Sequence, residues 1–417
     1  MMEATDIFRI LSYLLAILTA AAYAYQLLYL LLPLVLRKRD SVDAAPKRYA
    51  ILIAARNEER VLPHLLNSIA AQNYPAEYIR TFVVADNCTD LTAQAARDHG
   101  ATVFTRFNTR RVGKGYALNF LLEQIDRTEG LDQFDAFLVF DADNLLDANY
   151  IKQINTLCAA GYSAFCGYRN TKNYGSNWLS AGYSLWYIHE SAHLNRSRMA
   201  LGTTCAVSGT GFGFTRELLR ETGGWNFFTL TEDIEFTAWC AARGICIGYC
   251  DDAVVYDEQP TSFRVSVRQR TRWIQGGLQV SLRYASRLLK GILGGGRTGW
   301  ACFETATLTV WGYGLGTLSF ACTALSAGLS GGWQALAWTL IASLVGSYFS
   351  LLAMGALTLA MEWRQIRAET GQKLRSVLTF PLFLYTYIPI AATAIFRKFE
   401  WKPIEHTCAI SHAQLLD

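Results

Sequence analysis

The sequence predicts an α/β domain with a mainly parallel sheet, flanked by hydrophobic segments that cross a membrane. Between residues 49 and 140, short apolar runs alternate with amphipathic ones, which is typical of strands connected by helices. Charged residues make up only 17% of the 417-residue chain, against about 25% in soluble domains. Because the uncharged residues form long stretches on both sides of the alternating region, the composition indicates a soluble domain joined to membrane segments.

The alternating region gives the elements of the domain in turn. We predict strands at 49–54, 81–85, 101–105 and 136–140, and helices at 56–72, 91–99 and 116–125. The strands are short continuous apolar runs, and the helices carry apolar residues at intervals of three or four. Ligands bind beyond the carboxyl ends of strands in such sheets. Asp86 and Asp141 each follow a predicted strand directly, so we expect both on one rim.

Three apolar stretches are candidates for membrane spans, each of which needs about 20 residues. Residues 10–36 are uncharged and predict one span, and residues 305–361 are uncharged and predict two, broken at 330–332. Residues 376–396 contain two prolines and predict either a third span in this region or a re-entrant segment. The predicted organisation is an N-terminal span at 1–36, a catalytic domain at 47–255, amphipathic interface helices at 256–300, a membrane region at 301–396 and a tail at 397–417.

The basic residues beside these stretches indicate their orientation. Arg37, Lys38 and Arg39 follow the first span, and further basic residues lie in the tail at 397–402. Because basic residues mark the cytoplasmic side, we expect a multi-pass protein of the cell membrane whose catalytic domain is cytoplasmic. Ten cysteines without a CxxC pair indicate neither a zinc site nor a disulfide framework. The net charge of +4 suits a surface near anionic membrane lipids, and no nucleic acid is expected as a partner.

Two acidic patterns lie at the predicted strand ends. Asp141 and Asp143 are two residues apart, so their side chains share one side and predict a site for Mg²⁺ or Mn²⁺, which takes its other ligands from phosphates. Such a metal would neutralise a departing diphosphate. The alternative is a turn with hydrogen-bonding aspartates. Asp86 predicts a nucleoside contact, while Thr89 or Asp90 caps the next helix.

Two further patterns open predicted helices. Lys114, between two glycines, predicts a phosphate contact at a helix N-terminus; the alternative is a solvated surface lysine. Glu232 and Asp233 follow Thr231 at the start of a helix that ends near Gly244. Acids there stabilise the helix dipole, or they act in catalysis, with Asp233 as the general base for an acceptor hydroxyl.

A basic and aromatic pattern follows in Gln269-Arg270-Thr271-Arg272-Trp273. We predict that Gln269, Arg270, Arg272 and Trp273 bind substrate. A helix places Gln269, Arg272 and Trp273 on one face, where the arginine fork can grip a diphosphate and the tryptophan can support a sugar ring. The alternative is a basic amphipathic helix on the membrane surface, and both interpretations can hold together.

One pattern points to different chemistry. His189-Glu190-Ser191-Ala192-His193 matches the H-E-x-x-H sequence of zinc proteases, with Glu217 or Glu221 as the third ligand. A membrane zinc protease is therefore a remote alternative, which leaves the other patterns unexplained.

The ordered motifs VADNCTD, KG, FDADN, GTGFGF, TED and QRTRW resemble those of the membrane-bound family 2 glycosyltransferases with the GT-A fold. Cellulose, chitin and hyaluronan synthases belong to this family. The motifs VADNCTD and FDADN are most similar to those of its bacterial exopolysaccharide branch, and residues 400–406 resemble the tail of that branch. The similarity is strong over about 48–290. This chain has Ala85 where many members have a second aspartate, and it has fewer apparent spans than cellulose synthase.

The resemblance implies a GT-A nucleotide-diphospho-sugar transferase domain with a Rossmann-like mixed sheet. It implies inverting, Mg²⁺- or Mn²⁺-dependent hexosyl transfer from a UDP-sugar to a growing exopolysaccharide or β-glycan; the alternative is transfer of one sugar to a lipid-linked acceptor. An export or accessory subunit is a further expected partner. The implied roles are uridine contact for Asp86, diphosphate contact for Lys114 and Arg272, nucleotide and metal contact for Asp141 and Asp143, base for Asp233 and acceptor platform for Trp273.

Overall fold

A mixed sheet of eight strands forms the centre of this computed structural model, which describes residues 4–36, 44–307, 310–394, 396, 406, 408–410 and 414–415. The strands are Tyr49–Ala55 (β1), Ile79–Asp86 (β2), Thr102–Arg106 (β3), Ala136–Asp141 (β4), Leu145–Leu146 (β5), Ala164–Thr171 (β6), Phe212–Thr215 (β7) and Ile247–Asp257 (β8). They lie in the order β3-β2-β1-β4-β7-β6-β8-β5. Strands β3, β2, β1 and β4 are parallel, β7 is antiparallel to both neighbours, and β6 and β8 are parallel. The predicted Rossmann-like mixed sheet is confirmed.

Helices cover both faces of the sheet. The helices are Ala4–Leu31 (α1), Leu62–Ala70 (α2), Thr92–Asp98 (α3), Lys114–Thr128 (α4), Tyr150–Ala159 (α5), Trp178–His189 (α6), Arg196–Leu201 (α7), Arg216–Thr222 (α8), Glu232–Arg243 (α9), Phe263–Gly294 (α10), Gly296–Thr307 (α11), Val310–Met361 (α12), Thr370–Tyr385 (α13) and Tyr387–Ala394 (α14). A π-helical turn, Glu190–Asn195, joins α6 to α7. The helix predicted at 56–72 begins only at Leu62, because Asn57 adopts a left-handed conformation with φ 57° that no helix can include.

Alternation along the strands builds a core on each face of the sheet. In β1, Ala50 and Leu52 belong to the cluster that contains α4, whereas Ile51 and Ile53 pack with α2. These four side chains are fully buried. Burial on both faces explains why the strand reads as a continuous apolar run, and it leaves the strand ends as the accessible rim of the sheet.

Three helical segments are long and apolar enough to cross a membrane by length and composition: Asp6–Leu34, Gly314–Met361 and Thr370–Ala394. The second is interrupted at Gly332, with φ 63° and ψ −156°, within the break predicted at 330–332. The prolines predicted to disturb the third segment lie inside α13 and α14. The basic clusters at 37–39 and 397–402 lie outside the described residues.

Candidate active site

A buried lysine lies where β4 ends and α4 begins. Lys114 Nζ donates to Asp141 Oδ1 at 2.5 Å and to the carbonyl oxygen of Gly209 at 2.7 Å. Gly113 precedes it with φ 134°, a conformation open to glycine. Burial opposes the ammonium charge, but the carboxylates of Asp141, Glu232 and Asp233 together raise the pKa of Lys114. The lysine is therefore a fixed cation on the rim and not a solvated surface residue.

The acidic pair lies next to this lysine, at the start of α9. Glu232 is buried, and burial together with the neighbouring Asp233 carboxylate raises the pKa of Glu232 to about 7, although Lys114 and Arg272 lower it in part. Gly115 explains the close approach of the two helix starts, since a Cβ there would lie 2.1 Å from the carbonyl oxygen of Phe227. The loop before α9 thus packs directly on the first turn of α4.

The small-residue run 208–213 passes between the lysine and the acidic pair. A Cβ on Gly209 would lie 4.0 Å from Asp233 Oδ2, and the Gly209 carbonyl binds Lys114. Thr210 Oγ1 accepts from the Asp141 backbone N–H at 3.0 Å and donates to Asn144 Oδ1. The turn therefore connects the end of β4 to the neighbourhood of Asp233.

Asp86 lies on the same rim, at the end of β2. Its Oδ1 pairs with Arg106 Nη1 at 2.5 Å and accepts from the Asn87 side chain at 3.1 Å. Sequence reasoning missed Arg106. Parallel pairing of β2 with β3 places Arg106 directly opposite Asp86. The basic residue that follows the predicted third strand could therefore have indicated a partner for Asp86.

Asp143 lies deeper than Asp141 and has cationic neighbours. Its Oδ2 accepts from the Glu258 backbone N–H at 2.8 Å. Burial opposes ionisation, but His406 and Lys172 lower the pKa of Asp143. Among the described residues, no three His, Cys, Asp or Glu side chains converge on one metal position. Two aspartates on one rim nonetheless fit Mg²⁺ or Mn²⁺, because these ions bind through one or two carboxylates and take their remaining ligands from phosphates and water.

His406 reaches this rim from the tail, and sequence reasoning noticed it only within the resemblance of residues 400–406. His406 Nδ1 lies 2.8 Å from Glu58 Oε1. Burial disfavours the charged ring, but Asp143 and Glu58 raise the pKa of His406 to about 10. Nearby, the Cys408 backbone N–H donates to Glu258 Oε2 at 2.9 Å. The tail is thus held against the catalytic domain by charge, and no local pattern in the sequence indicates this.

Helix α10 brings the basic and aromatic pattern to the site. In the part of the chain that the structure describes, Gln269 Oε1 and Arg272 Nε are buried without a hydrogen-bond partner. Trp273 lies edge-on to Tyr183 and Tyr187, with ring centroids 5.8 and 6.3 Å apart. Arg272 lies close enough to Glu232 to lower its pKa, which places this part of α10 beside the acidic pair.

Arg270 lies on another face of α10. Its Nη1 donates to Thr386 Oγ1 at 2.6 Å and its Nη2 to Ser266 Oγ at 2.8 Å, and its guanidinium carbon lies 4.7 Å from the centre of the Tyr387 ring. The side chain is fully buried. Arg270 therefore anchors α10 to α13 and α14, and its contact with substrate stays a prediction.

The zinc-protease alternative is contradicted. His189 Nδ1 lies 3.2 Å from a threonine hydroxyl of α12, and His193 Nδ1 lies 2.9 Å from a carbonyl oxygen of α1. Glu217 and Glu221 pair with arginines at the surface, and no group of three metal-ligating side chains is found among the described residues. The two histidines thus join the domain to the membrane helices.

Comparison with known proteins identifies the family of the chain. A sequence model of the family described as "Glycosyltransferase like family 2" matches residues 46–276, which is more than half of the chain. The chain is 27% identical over 252 residues to a beta-monoglucosyldiacylglycerol synthase of Synechocystis, covering 59% of this chain and 51% of that protein. It is 26% identical over 237 residues to the poly-beta-1,6-N-acetyl-D-glucosamine synthase of Staphylococcus aureus, covering 56% and 55%.

A solved structure has the same fold. The mannosyltransferase PcManGT of Pyrobaculum calidifontis, in complex with GDP-mannose and Mn²⁺, aligns with a TM-score of 0.56 at 19% identity and covers 93% of this chain and 99% of that chain. The domain described above therefore has the GT-A glycosyltransferase fold. The matches to the curated relatives span half to three fifths of those proteins' lengths.

Replacing Glu232 with glutamine should flatten the pH dependence of stability. The pKa of Glu232 is about 7 in the folded protein against 4.5 for an unperturbed glutamate, so the folded state binds its proton more tightly. This contribution to stability is present below pH 4.5 and is lost as the pH rises through 7, by about 3 kcal/mol. In thermal unfolding in detergent, the stability of E232Q relative to the wild type should therefore increase between pH 5 and 8.

The exposed Glu221, which pairs with Arg243, supplies the control for this measurement. E221Q should follow the wild type at every pH, because exposed pairs contribute little. Parallel curves for E232Q and the wild type would show that Glu232 is ionised in the folded protein.

Proposed function

This chain belongs to glycosyltransferase family 2, and we propose that it transfers a hexose from a UDP-sugar, with inversion, to a growing polysaccharide at a membrane. The observation that supports this most directly is the convergence on one rim of a buried lysine, the Asp141 carboxylate and the Glu232–Asp233 pair. A cation facing acids suits a reaction in which a diphosphate leaves while a hydroxyl loses its proton.

Asp233 is the base in this mechanism. Burial and the neighbouring Asp233 carboxylate raise the pKa of Glu232 to about 7, so we assign the base to Asp233, the less buried of the two side chains. Asp233 then accepts the proton of the acceptor hydroxyl as its oxygen attacks the anomeric carbon. The bond to the diphosphate breaks on the opposite side, so an α-linked donor gives a β-linkage.

In this proposal three side chains bind the leaving diphosphate. Gln269 and Arg272 contribute from α10, where Arg272 is near the acidic pair, and Lys114 provides a positive charge at the end of β4. Asp141 and Asp143 would hold the divalent metal, which supplies further positive charge to the leaving group. Asp86 accepts hydrogen bonds from the uridine, with Arg106 fixing its orientation.

The acceptor side consists of Trp273 with the neighbouring aromatic rings of α6. An apolar plate of this kind supports a sugar ring of a polymer end. The relative named for a glucosyldiacylglycerol product favours a second candidate, transfer of one sugar to a lipid, whereas the relative named for a polysaccharide favours the first. Both candidates use the same base and the same donor site.

The membrane arrangement follows from contacts at the ends of Thr370–Ala394. At its start, Gln372 Nε2 donates to the carbonyl of Gly175 at 3.0 Å, and at its end the Ala394 carbonyl accepts from Gln275 Nε2 at 2.8 Å. Both partners belong to the part of the chain that carries the site. We infer that α13 and α14 enter and leave the bilayer on the catalytic side, and that the domain and the tail are both cytoplasmic.

Nucleotide release by the purified, lipid-reconstituted protein tests the function. One UDP-hexose in a panel of UDP-sugars, with GDP-mannose included because PcManGT was solved with it, should release nucleotide, and a chelator should abolish the release. If a polysaccharide is extended, the products should form a series of increasing lengths. If a lipid is the acceptor, each product should carry one added sugar. Absence of release with every donor, with glycan and lipid acceptors both supplied, would contradict the proposal.

The Asp233→Asn variant tests the assignment of the base. Turnover should fall by about 10²–10⁴-fold because the amide cannot accept the proton, while the Kd for UDP, measured by calorimetry, should stay within about 3-fold. The matched control is D98N, on the exposed end of α3, which should behave as the wild type. Turnover of D233N near the wild-type rate would remove Asp233 as base.

Reporter fusions in a bacterial host test the orientation. Green fluorescent protein fused to the C-terminus should fluoresce, and alkaline phosphatase fused there should be inactive, since the tail is cytoplasmic. Fusions at the Gly332 break in α12 should give the reverse. Active phosphatase at the C-terminus would show that Thr370–Ala394 crosses the bilayer.

A further inference from the structure

One buried arginine outside the motifs described so far reaches the centre of the site. Arg169 lies near the end of β6, where its Nε donates to Asp257 Oδ2 at 2.7 Å and its Nη1 donates to the Ser208 carbonyl at 2.5 Å. The guanidinium carbon lies 3.5 Å from the centre of the Tyr187 ring. Its backbone N–H donates to Ser191 Oγ at 3.1 Å. Both the backbone and the side chain of Arg169 are therefore held by hydrogen bonds.

The carbonyl that Arg169 holds belongs to the turn between the donor and acceptor sides. The next residue, Gly209, binds Lys114 through its own carbonyl at 2.7 Å. A Cβ on Gly209 would lie 3.4 Å from Arg169 Nη1 and 4.0 Å from Asp233 Oδ2. A displacement of this turn would therefore change the position of Lys114 and the space in front of Asp233 together.

The side chains behind the turn include the glutamate of the H-E-x-x-H pattern. Glu190 and Ser191 line a small cavity of about 10 Å³ together with Arg169, Ser208 and Thr210, and burial raises the pKa of Glu190. Because lysine has a smaller side chain than arginine, a lysine at position 169 can be accommodated here without overpacking.

We propose that Arg169 is a positioning residue for sugar transfer, which fixes the Ser208–Gly209 turn so that Lys114 and Asp233 keep their separation. The inference rests on the proposed function and deepens it. A planar guanidinium can bridge Asp257 and the Ser208 carbonyl while stacking on Tyr187, whereas an ammonium cannot satisfy all three. A misplacement of about 1 Å in such a site costs about 10²-fold in rate.

Arg169→Lys tests the inference against a matched buried arginine. Arg196 has a similar exposure and pairs with Asp251 and Glu362, and neither of these partners lies on the Ser208–Gly209 turn. R169K should lower kcat by about 30–100-fold with the UDP Kd changed less than about 3-fold, and R196K should change both less than about 3-fold. Equal losses of kcat in R169K and R196K would overturn the inference.

Hydrogen exchange in the free protein gives a reading that does not depend on turnover. The amides of Thr210 and Gly211, which bond to Ser208 and Val139, should exchange faster in R169K than in the wild type and R196K. Unchanged exchange would overturn the inference even if transfer were lost. Faster exchange in a protein whose wild type transfers no sugar would instead place the failure in the proposed function.

A second pair of variants covers the case in which R169K does not fold. Asp257→Asn weakens the ion pair that holds the guanidinium of Arg169 and should lower kcat and speed exchange in the same turn, by smaller factors, since a neutral partner gives a weaker hydrogen bond than a carboxylate. Asp251→Asn, which changes the corresponding partner of Arg196, should match the wild type. Wild-type exchange and kcat in Asp257→Asn would overturn the inference.

Discussion

The site depends on one largely buried cation. Lys114 binds Asp141 directly and lies in the field of Glu232 and Asp233, so carboxyl groups from two distant parts of the chain meet around it. Removing a charge from water costs several kcal/mol even after relaxation, so acids cannot gather on this rim without a cation among them. The close approach of α4, α9 and the 208–213 turn therefore depends on this cation. It is sterically possible because residue 115 is a glycine and has no Cβ to collide with the loop before α9.

The H-E-x-x-H pattern lies at the π-helical turn Glu190–Asn195, between the catalytic domain and the membrane helices. The rings of His189 and His193 are stacked with centroids 5.0 Å apart, and each Nδ1 contacts a membrane helix, α12 or α1. Ser191 accepts from the backbone N–H of Arg169, behind the Ser208–Gly209 turn. The pattern thus joins the membrane part to the site, and spacing alone cannot distinguish this from metal binding.

Local patterns predicted the first half of the sheet, since buried parallel strands and amphipathic helices are recognisable in consecutive residues, but strands β5 to β8 were not predicted. All four predicted strands form, and the error at 56–72 arose because a left-handed Asn57 has no signature in hydrophobic spacing. The predicted acids and Lys114 meet on one rim because strand ends are accessible positions. Long-range partners were not predictable: His406 lies 348 residues from Glu58 in sequence, and the burial of Arg270 depends on how α13 packs.

The two faces of α10 connect these observations. One face carries Gln269 and Arg272, the residues proposed to bind the diphosphate, and another is fixed through Arg270 to α13 and α14. Because a helix is stiff over the single turn that contains these residues, the packing of α13 and α14 fixes the position of Gln269 and Arg272. The proposed donor site is therefore divided between the sheet, which carries the acids and the lysine, and α10, which is held by the membrane-associated helices. On this proposal the site is complete only when both parts are packed together.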